Sequence, residues 1–146
     1  MPELPEVETT IRYLTSKVKG KKIISISKSQ KKLRKNLNFK DTESISQRKI
    51  ISVKRFAKYI VIRLDNDNYL IIHLGMSGRL KFYLNENYKK EKHDHVVLQF
   101  DKFKIVFNDP RRFGMFFRLE DINEVEIFFN NYGCLLYTSD AADEER

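Results

Sequence analysis

The sequence predicts an α+β domain that is mostly β: an N-terminal helix, then a two-layered antiparallel β-sandwich or flattened barrel of about eight strands, with a second helix near the C-terminus. Three observations lead there. Val7, Ile11, Leu14 and Val18 recur at helical spacing at the start of the chain. The next hundred or so residues break into short apolar, β-branched runs separated by tight-turn residues. Asp121 then stands ahead of Ile122, Val125 and Phe129, a capped apolar stripe.

Each element has its own local justification. In the first helix Pro2 and Pro5 suit the opening turn, Glu6 and Glu8 face the positive end of the dipole, Lys17 and Lys19 the negative end, and Gly20 supplies the stop. A helix docked directly after Glu3 would hold the chain's end still, whereas most chain ends fray. Residues 22–27 read as a strand. Residues 28–40 are basic and weakly patterned, either a solvated lysine-rich loop or a loop near phosphate. The apolar runs at 50–56, 59–64, 69–74, 80–84, 95–100, 103–107 and 115–119 read as strands, with Asp65, Asn66, Asp67 and Asn68, and later Asp101 and Lys102, as hairpin turns. No internal repeat is present.

Composition narrows the function classes. At 146 residues the chain is one domain's worth and can bury about two thirds of its unfolded surface without cross-links. A net charge of +8 makes a polyanion the first partner to consider, against a merely soluble basic protein. No apolar run approaches the roughly 20 residues of a membrane span, and the N-terminus lacks a signal peptide's apolar core, so a cytoplasmic location with no membrane partner is expected; a monomer is also expected. The single cysteine, Cys134, forms no internal disulfide and no multi-cysteine metal site, so no cofactor is expected in this chain. Residues 1–133 are expected to form the domain. Residues 134–146 change character, with Asp140, Asp143, Glu144 and Glu145 against Arg146, and resemble a translated sequencing adapter. They are expected to be a non-native or disordered tail, the alternative being a short native acidic one.

Several residues have types that carry chemistry. Removing Met1 would leave Pro2 as a free secondary amine, a nucleophile able to condense with an aldehyde carbon, with Glu3 beside it to move protons. The same Pro-Glu pair is also an ordinary helix start. Three loops stand out further on. Lys58, in Arg55-Phe56-Ala57-Lys58-Tyr59, is a snorkelling surface lysine or a groove cation that meets phosphate or shuttles a proton. Met76 lies in His73-Leu74-Gly75-Met76-Ser77-Gly78-Arg79, where it either fills core or projects from a glycine turn as a flexible apolar wedge. In Asp109-Pro110-Arg111-Arg112-Phe113-Gly114 the arginines are solvated and Phe113 caps the core, or the arginines contact phosphate and base beside an intercalating ring. His93 and His95 follow a charged loop; with no third metal ligand evident, His93 is assigned hydrogen bonding and His95 a strand start.

Taken together, PELPEVET at 2–9, AKY at 57–59, IIHLGMSG at 71–78, KHDHV at 92–96 and DPRRFG at 109–114 resemble the N-terminal domain of formamidopyrimidine-DNA glycosylase. The resemblance implies a bifunctional DNA repair enzyme that removes oxidised purines (8-oxoguanine, formamidopyrimidines) and nicks the strand. It implies Pro2 as Schiff-base nucleophile, Glu3 as proton donor and relay, and Lys58 as a helper in strand cleavage. His93, Arg111 and Arg112 match DNA-contacting positions. Met76, Arg111 and Phe113 resemble the trio that fills the space left by an extruded nucleotide, with Arg111 facing the orphaned cytosine. The implied partner is double-stranded DNA carrying an oxidised purine or an abasic site.

Family members continue into a helix-two-turns-helix module and a four-cysteine zinc finger. Neither follows here, so the one structural zinc of the family is expected outside this chain, and weak DNA binding with little turnover is expected of it. The alternative from another class is a noncatalytic basic β-domain that binds nucleic acid through Arg111, Arg112 and Phe113.

Overall fold

The computed structural model describes residues 4–130. Pro2, Glu3, the boundary expected at Gly133 and the tail with Cys134 lie outside the described residues. The chain opens with α1 (Leu4–Val18), followed by β1 (Lys22–Ile23), β2 (Ser25–Lys28) and α2 (Phe39–Ile45). Seven more strands come next: β3 (Arg48–Phe56), β4 (Tyr59–Leu64), β5 (Tyr69–His73), β6 (Arg79–Leu84), β7 (Asp94–Gln99), β8 (Phe103–Asn108) and β9 (Met115–Leu119). The last described element is α3 (Ile122–Asn130), capped by Asp121, whose Oδ1 accepts the Glu124 N–H at 2.9 Å.

Two antiparallel sheets face each other, one in the order β1-β3-β4-β5-β9 and the other β2-β7-β8-β6. The expected mostly-β sandwich with helices at both ends is therefore present, built from nine strands among the described residues. Strand alternation explains the unbroken apolar runs. On β4 and β5 the residues Ile60, Ile62, Leu64, Leu70 and Ile72 point into the main core with Val7, Leu14 and Val18 of α1. Their neighbours Tyr59, Val61 and Ile71 point the other way, into a second core with Met115, Phe117, Val125 and Phe129. Covering both faces of a sheet removes the polar alternation expected of a half-exposed strand. Each fully buried Ile or Phe contributes roughly 1.5–3 kcal/mol of hydrophobic stabilisation.

Two features depart from the sequence expectation. The single strand expected at 22–27 is two, because the chain crosses at Ile24 from one sheet to the other: Ile23 pairs with Arg48 of β3, and Ser25 pairs with Gln99 of β7. The basic stretch 28–40 is not a freely solvated loop. Leu33 and Leu37 are buried, the Arg34 N–H donates to the Gly114 carbonyl at 3.0 Å, and Phe116 N–H donates to the Lys35 carbonyl at 2.8 Å. It leads into α2, a helix that sequence periodicity missed. The available signal was a capping box, in which Asn38 and Asp41 exchange side-chain-to-backbone hydrogen bonds at 2.8 Å each.

Candidate nucleic-acid interface

The β3–β4 hairpin closes over two residues, Ala57 and Lys58, between the paired Phe56 and Tyr59. Ala57 takes φ 52°, a left-handed conformation unusual for a residue with a Cβ, and Lys58 is half-buried. Arg55 ties this turn to the first helix, since its Nε donates to Glu8 Oε1 at 2.5 Å and its Nη1 to the Ala57 carbonyl at 3.1 Å. Tyr59 lies opposite His73 of β5, ring centroids 4.8 Å apart. Burial, helped by the positive charges of Arg34 and Lys58, pushes the His73 imidazole down to about 4. The ring is thus neutral at pH 7, free to accept the Gly75 N–H on Nδ1 at 3.0 Å.

The second and third loops stack against each other. Gly75 has φ 61°, and a Cβ there would lie 2.7 Å from the Gly114 nitrogen. At Gly114 a Cβ would lie 2.7 Å from both Asp109 Oδ2 and the His73 carbonyl oxygen. Only glycine at both positions allows this approach.

Asp109, fully buried, organises the junction. Its Oδ1 accepts the Ser77 hydroxyl at 2.6 Å and its Oδ2 accepts the Gly114 N–H at 2.8 Å. Its backbone is used as well: the N–H donates to the His93 carbonyl at 3.0 Å, and the carbonyl accepts the Arg112 N–H at 3.2 Å. His95 Nε2 lies 2.8 Å from the same carbonyl, and its Nδ1 lies 3.2 Å from Ser29 Oγ. A ring that donates from Nε2 to this carbonyl and meets the serine hydroxyl with Nδ1 satisfies both contacts.

From this buried base the wedge candidates project outward. Met76 is 45% exposed and Phe113 47% exposed, so of the alternatives the sequence left open, neither fills core. Arg111 and Arg112 are exposed, and the Arg111 guanidinium carbon sits 5.4 Å from the Phe113 ring centroid. His93 is half-buried just ahead of β7, its ring centroid 6.5 Å from that of His95. Thus the tertiary structure gathers Met76, His93, Arg111, Arg112 and Phe113 on one rim. Lys58 lies beside His73, at the foot of the Met76 loop. Arg34 of the basic stretch reaches the same rim, and Lys31 Nζ donates to the Lys92 carbonyl at 3.2 Å, holding two lysine-rich segments side by side.

Ser77 and Asp109 stand within the motifs that the sequence singles out, but sequence reasoning assigned neither a role. The only local signal was an aspartate at the first position of a turn. Among the described residues no group of three or more His, Cys, Asp or Glu side chains could hold a metal ion, and no helix is long and apolar enough to cross a membrane.

Residues 1–116 match the family described as "Formamidopyrimidine-DNA glycosylase N-terminal domain". The chain is 43% identical over 135 residues to the formamidopyrimidine-DNA glycosylase of Wolbachia pipientis subsp. Culex pipiens (strain wPip), covering 91% of this chain and 49% of that protein. It is 44% identical over 135 residues to the enzyme of that name from Rickettsia africae (strain ESF-5), with the same coverage of each. The chain therefore spans about half the length of the curated relatives it matches. Among solved structures, the Lactococcus lactis formamidopyrimidine-DNA glycosylase bound non-covalently to DNA containing an AP site superposes with a TM-score of 0.81 at 30% identity, covering 89% of this chain and 49% of that one. The Lactococcus lactis complex with FAPY-dG-containing DNA gives 0.78 at 30% identity, covering 88% and 48%.

Proposed function

Because this chain belongs to the formamidopyrimidine-DNA glycosylase N-terminal domain family, we propose that it forms the base-excising and strand-nicking half of a DNA repair glycosylase acting on oxidised purines in duplex DNA. The observation that carries this reading is the rim itself. Two exposed apolar side chains, Met76 and Phe113, stand beside Arg111 on loops stacked over a buried polar hub. Apolar wedges next to cations are what a protein needs to unstack a duplex and hold the gap left by a flipped nucleotide.

The chemistry assigned to the chain's start follows from an amine at Pro2 after removal of Met1. Its nitrogen bonds to C1′ of the flipped nucleotide as the glycosidic bond breaks, and the base leaves with that electron pair and a proton relayed by Glu3. Breaking of C1′–O4′, with protonation of O4′, converts the adduct to an iminium. This cation acidifies C2′–H, and loss of that proton expels the 3′ phosphate; a second elimination expels the 5′ phosphate, with Lys58 assisting. An α-amino group ordinarily titrates near pH 8, roughly two units below lysine, which leaves more of it unprotonated near neutrality. His93, Arg111 and Arg112 are assigned DNA contacts, Arg111 facing the base opposite the lesion.

Borohydride reduction tests this directly. The chain with Met1 removed, incubated with an oligonucleotide containing an abasic site, should yield a covalent adduct that disappears in Pro2→Gly. Absence of an adduct even when this half is rejoined to the C-terminal half of a full-length relative, with salt-sensitive DNA binding that survives blocking of the N-terminus, would replace the proposal by a noncatalytic nucleic-acid-binding domain.

A further inference from the structure

We propose that Ser77 and Asp109 are positioning residues that hold Met76 and the turn at 111–113 as one preformed wedge. This rests on the reading that the rim enters DNA, and adds how it is made stiff. The Ser77 hydroxyl does two jobs at once: it donates to Asp109 Oδ1 at 2.6 Å and accepts the Arg111 N–H at 3.0 Å. Ser77 adjoins Met76 in sequence, and Arg111 is two residues from Phe113. One hydroxyl therefore bridges the two loops at the point from which both apolar side chains depart.

The opposite carboxylate oxygen, Oδ2, takes the Gly114 N–H at 2.8 Å, so the single side chain of Asp109 grips the Met76 loop through Ser77 and closes the Phe113 turn from behind. Its surroundings leave it little freedom. Asp109 is fully buried, its carbonyl accepts from Arg112 N–H and contacts His95 Nε2, and the Gly75–Gly114 approach has no room for a Cβ. Arg112 is held at φ 58°, a left-handed conformation that requires support from its neighbours. A wedge that must be ordered on entering a base stack loses affinity to that ordering, whereas one fixed beforehand does not.

The experiment measures the ratio of affinities of the 146-residue chain for duplex with an abasic site and for intact duplex of the same sequence. A 2-aminopurine beside the abasic site reports insertion by fluorescence, and thermal unfolding checks the fold. In Ser77→Ala and Asp109→Asn the ratio should fall about fivefold to tenfold, the size expected when one hydrogen bond of a preorganised site is lost. The fluorescence change should weaken with it. Ser77→Thr, which keeps the hydroxyl, should restore most of both, an outcome that a loss of bulk stability would not give. If the parent chain discriminates, and Met76→Ala and Phe113→Ala abolish that discrimination while Ser77→Ala and Asp109→Asn keep it whole, the positioning role is overturned and the proposed function stands. If the parent chain shows no preference for the abasic duplex, and shows none when rejoined to the C-terminal half of a full-length relative, both fall.

Discussion

Arg55 of β3 meets Glu8 of α1 at 2.5 Å, a pair 47 positions apart in sequence and only partly exposed. The same guanidinium reaches the Ala57 carbonyl, so the helix that follows Pro2 and the turn that carries Lys58 share one anchor.

Replacing Arg55 by Ala should therefore uncouple two parts of the proposed catalytic centre. The expected stability loss is modest, about 1 kcal/mol, as for a partly exposed ion pair. The expected functional loss is larger: borohydride trapping on an abasic oligonucleotide should slow by roughly tenfold, since a misplacement on the order of 1 Å suffices for such losses. Trapping rates beside urea denaturation curves check both, and an unchanged trapping rate would remove the anchor from the mechanism.

His73 supplies a pH dependence of stability. Its folded value is about 4 because of burial and the nearby Arg34 and Lys58 charges, while an unfolded histidine titrates near 6.5. Between these values the unfolded chain binds the extra proton, so stability rises with pH. The contribution is complete above about 6.5 and is lost as pH falls toward 4. Urea midpoints measured from about pH 7.5 down to about 4.5 should decline, and His73→Gln should flatten that decline over this window.

Arg118 and Asp41 form a buried ion pair at 2.8 Å that locks α2 onto β9, with Arg118 also donating to Asn68 Oδ1 at 2.8 Å. Neutralising Asp41 leaves the buried Arg118 guanidinium with only the longer contact to the exposed Glu120 carboxylate at 3.8 Å as an ion pair. Asp41→Asn should cost about 3 kcal/mol and lower the melting temperature by roughly 10 °C. Calorimetry measures this, and a change below about 1 kcal/mol would show that the pair is dispensable.

Met76→Ala and Phe113→Ala should separate function from folding. Both side chains are nearly half exposed, so each change should alter stability by no more than about 0.5 kcal/mol. Preference for abasic over intact duplex should nevertheless be lost. Thermal melts and competition binding check the two arms. Substantial unfolding in either variant would return that residue to the core.

How far the sequence was legible depended on the range of the interaction. Strands β4 and β9 are found at the limits that their apolar runs marked, and Asp121 caps α3 as its position before Ile122 implied. These are neighbour effects, read within a few residues. The helix α2 was hidden because seven residues are too few to show periodicity within a lysine-rich stretch. Residues 22–27 read as one strand because a single β-prone run serves two sheets, and nothing in its alternation marks the crossing at Ile24.

The chemistry divides in the same way. Residue types and their order along the chain determined the sandwich, its two end helices, the basic character and the family resemblance carried by the motifs at 2–9, 57–59, 71–78, 92–96 and 109–114. Only the tertiary structure decided that Met76 and Phe113 face outward, that His73 is held neutral, and that Ser77 finds Asp109 from 32 positions away. The physical reason is that periodicity and capping act along the chain, whereas burial and a hydrogen bond between loops depend on how strands far apart in sequence are brought into register.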